Sequence, residues 1–221
     1  FIEDTIKSVL NQEGAEVELL VYDSNSTDLT PDIIGKYKDH LRSIRGSDHG
    51  MVDAINKGFH ECSGEIVAWI NSDDSYLPGI FKNVAEAFAS DSGLHFLYGD
   101  ALDMDTLGNI LGPNLFTENP VSSRYLYSHN FIVQPTVFIR RSALRSIAPI
   151  REDLFWTMDY EWLGRIFLSG MKGRRYPAFF ALNRDYANTK TNTGGFSRYR
   201  EMIHVLISRP GPFFLSRRSL R

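Results

Sequence analysis

Apolar positions along this chain follow two alternating rhythms, helical stripes and short unbroken runs. Thr5-Ile6 and Val9-Leu10 make a stripe at helical spacing that Asn11 and Gly14 close. Leu19-Leu20-Val21-Tyr22 runs unbroken and stops at Asp23, the pattern of a strand buried on both faces. Thr30-Pro31 supplies an N-cap and a first-turn proline, predicting a helix through Ile33-Ile34 to Leu41. A shorter helix fits Met51 to His60, with Gly64 marking its end. Ile66-Val67-Ala68-Trp69-Ile70 reads as the next buried strand, and Asn71-Ser72-Asp73-Asp74 follows abruptly. Pro78 opens a helix through Phe81, Val84, Ala85 and Phe88. Phe96-Leu97-Tyr98 predicts another strand, and Leu107-Gly108-Asn109 a hairpin turn. Beyond residue 115 the rhythm loosens, although Val133 to Ile139 fits a strand and Met158 to Leu168 a helix.

Repeated strand–loop–helix units predict an α/β fold, an open, mainly parallel sheet flanked by helices. Ligands of such sheets bind outside the carboxyl ends of the strands. Those ends carry Asp23-Ser24-Asn25-Ser26, then Asn71 to Asp74, then Gly99-Asp100. Polar side chains collect where the rule places a crevice.

Composition narrows the class. The chain has 221 residues, 43% apolar and 23% charged, enough for one domain with a real core. A formal charge of -3 argues against a nucleic-acid coat. The single Cys62 excludes an internal disulfide and a Cys-rich zinc site, and reads as a small packed residue. No apolar run approaches a membrane span and no signal peptide opens the chain, which predicts a soluble, cytoplasmic protein. The charge is uneven: residues 1–139 carry 8 basic and 21 acidic side chains, residues 140–221 carry 16 and 6. An acidic half suits a metal site and a basic half suits phosphates or an anionic membrane, though a basic tail alone produces the same count.

In an extended loop Asn71 and Asp73 face one side and Asp74 the other. Oxygen donors so spaced can hold a hard divalent cation completed by water and phosphate, while an Asx turn capping the next helix explains them equally. Asp159, in the first turn of its predicted helix, is either a reactive carboxylate or a complement to the helix dipole. Glu161 is a rival base on another side of that helix. Trp156 and Trp162 suit either a sugar face or the core. His129 reads as a structural histidine or a site residue. Gly46 to Gly50 is a loop whose N–H groups either meet an anion or merely connect.

Five ordered segments resemble family 2 glycosyltransferases. They are Glu18 to Asp28, Asp48 to Gly58, Gly64 to Asp74 with Tyr76-Leu-Pro-Gly79, Tyr98-Gly-Asp100 with Gln134-Pro135, and Met158 to Trp162. The resemblance runs over about residues 1–191. It implies a GT-A fold with a Rossmann-like nucleotide-sugar half at 1–115, an acceptor half at 116–209, and a basic tail at 210–221. It implies sugar transfer with inversion from a nucleotide-diphosphate sugar, with Mg2+ or Mn2+ as cofactor, in polysaccharide or glycolipid assembly. By position, Asp23 with Ser24 matches the base-holding segment, and Asp48 and Lys57 the nucleoside pocket. Asn71, Ser72 and Asp73 match the Asp-x-Asp loop that meets diphosphate and metal, with Asp73 and Asp74 as metal ligands. Lys190 matches a diphosphate partner, and Asp159 the general base. The acceptor is a carbohydrate or lipid-linked hydroxyl, with no nucleic acid involved.

Three departures stand out. Asn71 is neutral where the family has aspartate. Arg184-Asp-Tyr186 carries tyrosine where a metal-binding histidine is usual. The family's first strand and its nucleotide-contacting loop are not in these residues, so the sequence reads as a fragment. The tail Pro210 to Arg221 joins apolar residues to three arginines with no acid, which suits either a disordered terminus or peripheral contact with the inner face of a cell membrane. Competing functions are a catalytically silent nucleotide-sugar-binding module, a sugar-nucleotide pyrophosphorylase and a glycoside hydrolase.

Overall fold

The computed structural model describes residues 1–114 and 132–208; His129 and the tail lie outside the described residues. Helix α1 (Ile2–Leu10) precedes β1 (Leu20–Asp23), α2 (Thr30–Lys36), β2 (Arg42–Arg45) and α3 (Met51–Glu61). Strands β3 (Ile66–Val67) and β4 (Ser75–Tyr76), helix α4 (Ile80–Ala89) and the hairpin of β5 (Phe96–Met104) with β6 (Ile110–Pro113) follow. Strand β7 (Val137–Arg140), α5 (Arg141–Leu144), α6 (Met158–Leu168), β8 (Gly173–Arg184), α7 (Lys190–Thr193) and α8 (Gly195–Ile207) complete the order.

The helix-flanked α/β architecture is as expected, but the sheet is mixed rather than mainly parallel. The larger sheet runs β3-β7-β5-β8-β4, with β6 on β5. Among the described residues only β5–β8 and β1–β2 pair in parallel. β7 enters antiparallel between β3 and β5, and the hairpin return makes β6 antiparallel as well. β8 accepts Pro177 because its register against β5 shifts between Tyr98 and Ala101, a bulge that spares the missing N–H. Opposite that bulge only glycine fits at 99, because a Cβ there would stand 2.5 Å from the Phe180 ring.

Three apolar clusters hold the layers. The largest packs Trp162, Leu163 and Ile166 of α6 against β5 and β7, with Phe59 and Trp69 alongside. Fully burying each such side chain contributes about 1.5–3 kcal/mol. The second joins α4 to β5 and β8 through Val84, Phe88 and Phe180. The third is small: Ile6, Ile34 and Leu41 fasten α1 and α2 beside the separate β1–β2 sheet.

That separation leaves a gap. Among the described residues β1 pairs only with β2, and β3 only with β7. A cavity of about 810 Å3 is lined by Leu19 and Val21 on the β1 side and Ile66 and Ala68 on the β3 side, with Val9 and Phe59 from flanking helices. Its lining also includes Asp73, Tyr186 and Lys190.

Candidate active site

The carboxyl end of β1 turns sharply, with Asn25 in the left-handed region at φ 58°. Buried Asp23 accepts from the Ser26 N–H at 2.9 Å. Its buried Oδ2 forms an ion pair with Arg45 Nε at 3.2 Å. Ser24 Oγ donates to Asp48 Oδ1 at 2.9 Å, and the Gly50 N–H donates to the same oxygen at 3.0 Å. Asp23, Ser24 and Asp48 therefore belong to one pair of stitched loops. Lys57 is turned elsewhere: it pairs with Asp53 one turn back on α3, at 2.8 Å.

The 71–74 loop sorts its two carboxylates differently from the expectation. Asp74 is buried; its Oδ1 accepts from the Arg184 N–H at 2.9 Å and its Oδ2 from Asn71 Nδ2 at 3.2 Å. Burial pushes its carboxyl up to about 7, with the neighbouring Asp73 charge adding to the rise. Asp74 thus braces the loop from inside, with both carboxylate oxygens accepting hydrogen bonds where the sequence suggested a metal ligand. Asp73 is half-buried at the cavity, where Oδ2 accepts from the Tyr186 hydroxyl at 3.1 Å. Ser72 beside it is exposed.

Buried Arg184 organises this corner. Its Nε donates to the Asp73 carbonyl at 2.8 Å and one terminal nitrogen to the Asp105 carbonyl at 2.8 Å, while its guanidinium lies 4.3 Å from the Phe1 ring centre. No group of three or more His, Cys, Asp or Glu among the described residues forms a cation cage. Of the two aspartates in the 71–74 loop, Asp73 is the one that is not fully buried.

Asp159 stands in the first turn of α6, half-buried, its Oδ1 accepting the Tyr160 N–H at 2.7 Å. Burial raises its pKa, opposed by that hydrogen bond and by the charges of Lys190 and Arg198. Lys190 Nζ sits 4.2 Å from the Phe155 ring centre, and burial lowers its pKa against the pull of Asp159. Lys190 therefore links the two regions, lining the cavity with Asp73 and feeling the charge of Asp159. The rival Glu161 is buried and bound to Arg165 at 2.9 Å, so it faces away from any substrate. Trp162 is core, against Phe59 and Trp69.

One residue escaped the sequence reading. Glu201 of α8 accepts the N–H groups of Phe155, Trp156 and Thr157 at 3.0, 2.8 and 2.7 Å, and the Thr157 hydroxyl at 2.8 Å. It fastens the turn leading into the helix that carries Asp159 from a position 42 residues away, which no local motif announces. Burial works against the Glu201 charge, yet these four donors hold its pKa below the usual range. Glu201→Ala is expected to cost about 2–3 kcal/mol by stranding those N–H groups. Urea unfolding reads the loss, and an unchanged midpoint would remove Glu201 from this role.

Comparison with known proteins agrees with this arrangement. The profile described as Glycosyl transferase family 2 matches residues 1–148. A PGL/p-HBAD biosynthesis glycosyltransferase of Mycobacterium tuberculosis is 27% identical over 176 residues, covering 77% of this chain and 66% of the relative. S. aureus TarS 1-349 in complex with UDP-GlcNAc superposes with TM-score 0.72 at 20% identity, over 94% of this chain and 62% of that one. A mannosyltransferase from Pyrobaculum calidifontis in complex with GDP-Man and Mn2+ gives 0.62 at 16% identity, over 93% and 58%. The chain spans from 13% to 66% of the length of the curated relatives it matches. With the profile match covering both the β1 loop and the 71–74 loop, the chain belongs to glycosyltransferase family 2.

Proposed function

We propose that the chain transfers a sugar from a nucleoside-diphosphate donor to an acceptor hydroxyl with inversion, Asp159 acting as base. The observation that supports this reading is the position of Lys190, which lines the cavity with Asp73 and feels the charge of half-buried Asp159. In the step, the acceptor oxygen bonds to the anomeric carbon as the carbon–oxygen bond to the diphosphate breaks. The bonding pair leaves with the nucleoside diphosphate, and the hydroxyl proton passes to Asp159. Asp23 and the Ser24–Asp48 pair hold the nucleoside, and Lys190 meets the diphosphate. Asp73 would hold a divalent cation together with that diphosphate, and such a cation neutralises charge on the departing oxygen. Asn71 and Ser72 shape the same loop, and the carbohydrate or lipid-linked acceptor belongs on the Asp159 side. We also infer that one further extended segment fills the gap between β1 and β3, as the family's first strand would.

A thermal-shift screen of UDP-, GDP-, dTDP- and CDP-sugars, with and without Mn2+, tests the donor reading. A donor at 100 times its Kd stabilises by about 2.7 kcal/mol, or about 5–10 °C in a chain of this size. If no nucleotide sugar moves the transition, the reading fails; donor binding without transfer to any acceptor would leave a silent binding module.

The pH–rate profile gives a separate check. A base must be ionised, and burial raises the Asp159 pKa, so the acid limb of kcat/KM should lie above the ordinary carboxylate range. Activity then falls as pH drops through that raised value. An acid limb at or below the ordinary range would take Asp159 out of the step.

A further inference from the structure

Helix α8 is amphipathic with its polarity turned outward. Val205 is fully buried, Met202 packs on the main core, and Glu201 faces the start of α6. The opposite face presents Phe196, Tyr199, Ile203, Leu206 and Ile207, exposed by 78, 61, 53, 37 and 63%. At 100° per residue these five fall in one sector, with exposed Arg200 and His204 along its border. The helix has one acidic side chain, Glu201, and that one is committed inward to the turn before α6. From residue 202 to 221 the sequence adds Arg209, Arg217, Arg218 and Arg221 and no aspartate or glutamate. An apolar stripe bordered on its own helix by Arg200 and His204 complements one kind of surface above others.

We propose that the outward face of α8 docks on an anionic lipid surface, its apolar stripe entering the headgroup boundary and Arg200 meeting lipid phosphates. A second copy of the chain would place Arg200 in a desolvated seam with no acid of α8 on that face to pair it. A lipid layer accepts both the stripe and its positive rim. This inference does not depend on the transfer reading, because vesicle binding requires no donor.

The test is flotation of the 221-residue chain with phosphatidylcholine vesicles, with and without phosphatidylglycerol. The chain should float with the anionic vesicles, lose that binding in high salt, and stay unbound with pure phosphatidylcholine. The triple variant Phe196→Ser, Ile203→Ser, Ile207→Ser alters exposed positions only and should lose flotation while keeping its circular dichroism. Arg200→Glu should weaken binding to anionic vesicles. A chain ending at Ser208 should still float, showing that the helix suffices. The proposal is overturned if the parent chain does not float, if the triple variant floats as well as the parent, or if flotation needs only residues 209–221. It is likewise overturned if sedimentation shows a dimer that the triple variant breaks, because the stripe then belongs to a second copy.

Discussion

Asp159→Asn is expected to lower the rate of sugar transfer by about 10²–10⁴-fold while leaving nucleotide affinity unchanged. Asparagine keeps the volume and can still accept the Tyr160 N–H, so α6 keeps its start and only the proton acceptor disappears. No neighbour can take over. Glu161 is buried in its pair with Arg165, and Glu201 has its oxygens filled by four donors. Lys190 should feel the change, since Asp159 supports its protonated state against burial. Single-turnover transfer together with calorimetric titration of the nucleotide separates the two effects. Normal transfer in the variant would refute the role of Asp159, whereas loss of both affinity and transfer would mean a damaged fold.

The second large effect concerns the gap between β1 and β3. Joining an apolar strand of about six residues ahead of Phe1 should raise the melting temperature by about 10 °C. Each Val or Ile buried between the sheets contributes about 1.5–3 kcal/mol, and ordering each added residue costs about 1–2 kcal/mol of backbone entropy. New ladder bonds on both sides add about 1 kcal/mol apiece, leaving a surplus of a few kcal/mol. A control strand with Asp at its central positions should give no rise, since it would bury charge among Leu19, Val21, Ile66 and Ala68. Calorimetry checks the transition, and hydrogen exchange at β1 checks the mechanism. If apolar and control strands behave alike, the gap does not accept a strand.

The sequence announced the parts whose stability comes from nearby residues. The run Leu19 to Tyr22 with its stop at Asp23 became β1 almost residue for residue, and Met158 to Leu168 became α6 without a shift. Leu107-Gly108-Asn109 became the β5–β6 turn, with Gly108 at φ 87°. Elements hidden in the sequence owe their form to distant partners. β8 contains Pro177 and three arginines, and is a strand because it bulges against β5 at the proline and resumes pairing beyond it. β2 and β4 carry little apolar pattern and exist through pairing with β1 and β8. α8 was obscured because its apolar stripe faces outward. In the site, loop positions were legible but side-chain commitments were not. Lys57 turned to Asp53, one helical turn back, and Asp74 turned in to the Arg184 N–H, 110 residues away in sequence.

That inward turn of Asp74 changes how the loop meets anions. Burial raises that carboxyl to about 7, so it is partly neutral near neutral pH. The loop is consequently less negative than two aspartates in sequence suggest, and it gains charge as pH rises through that value. A residue locked inside the protein thus tunes the field at the mouth of the cavity.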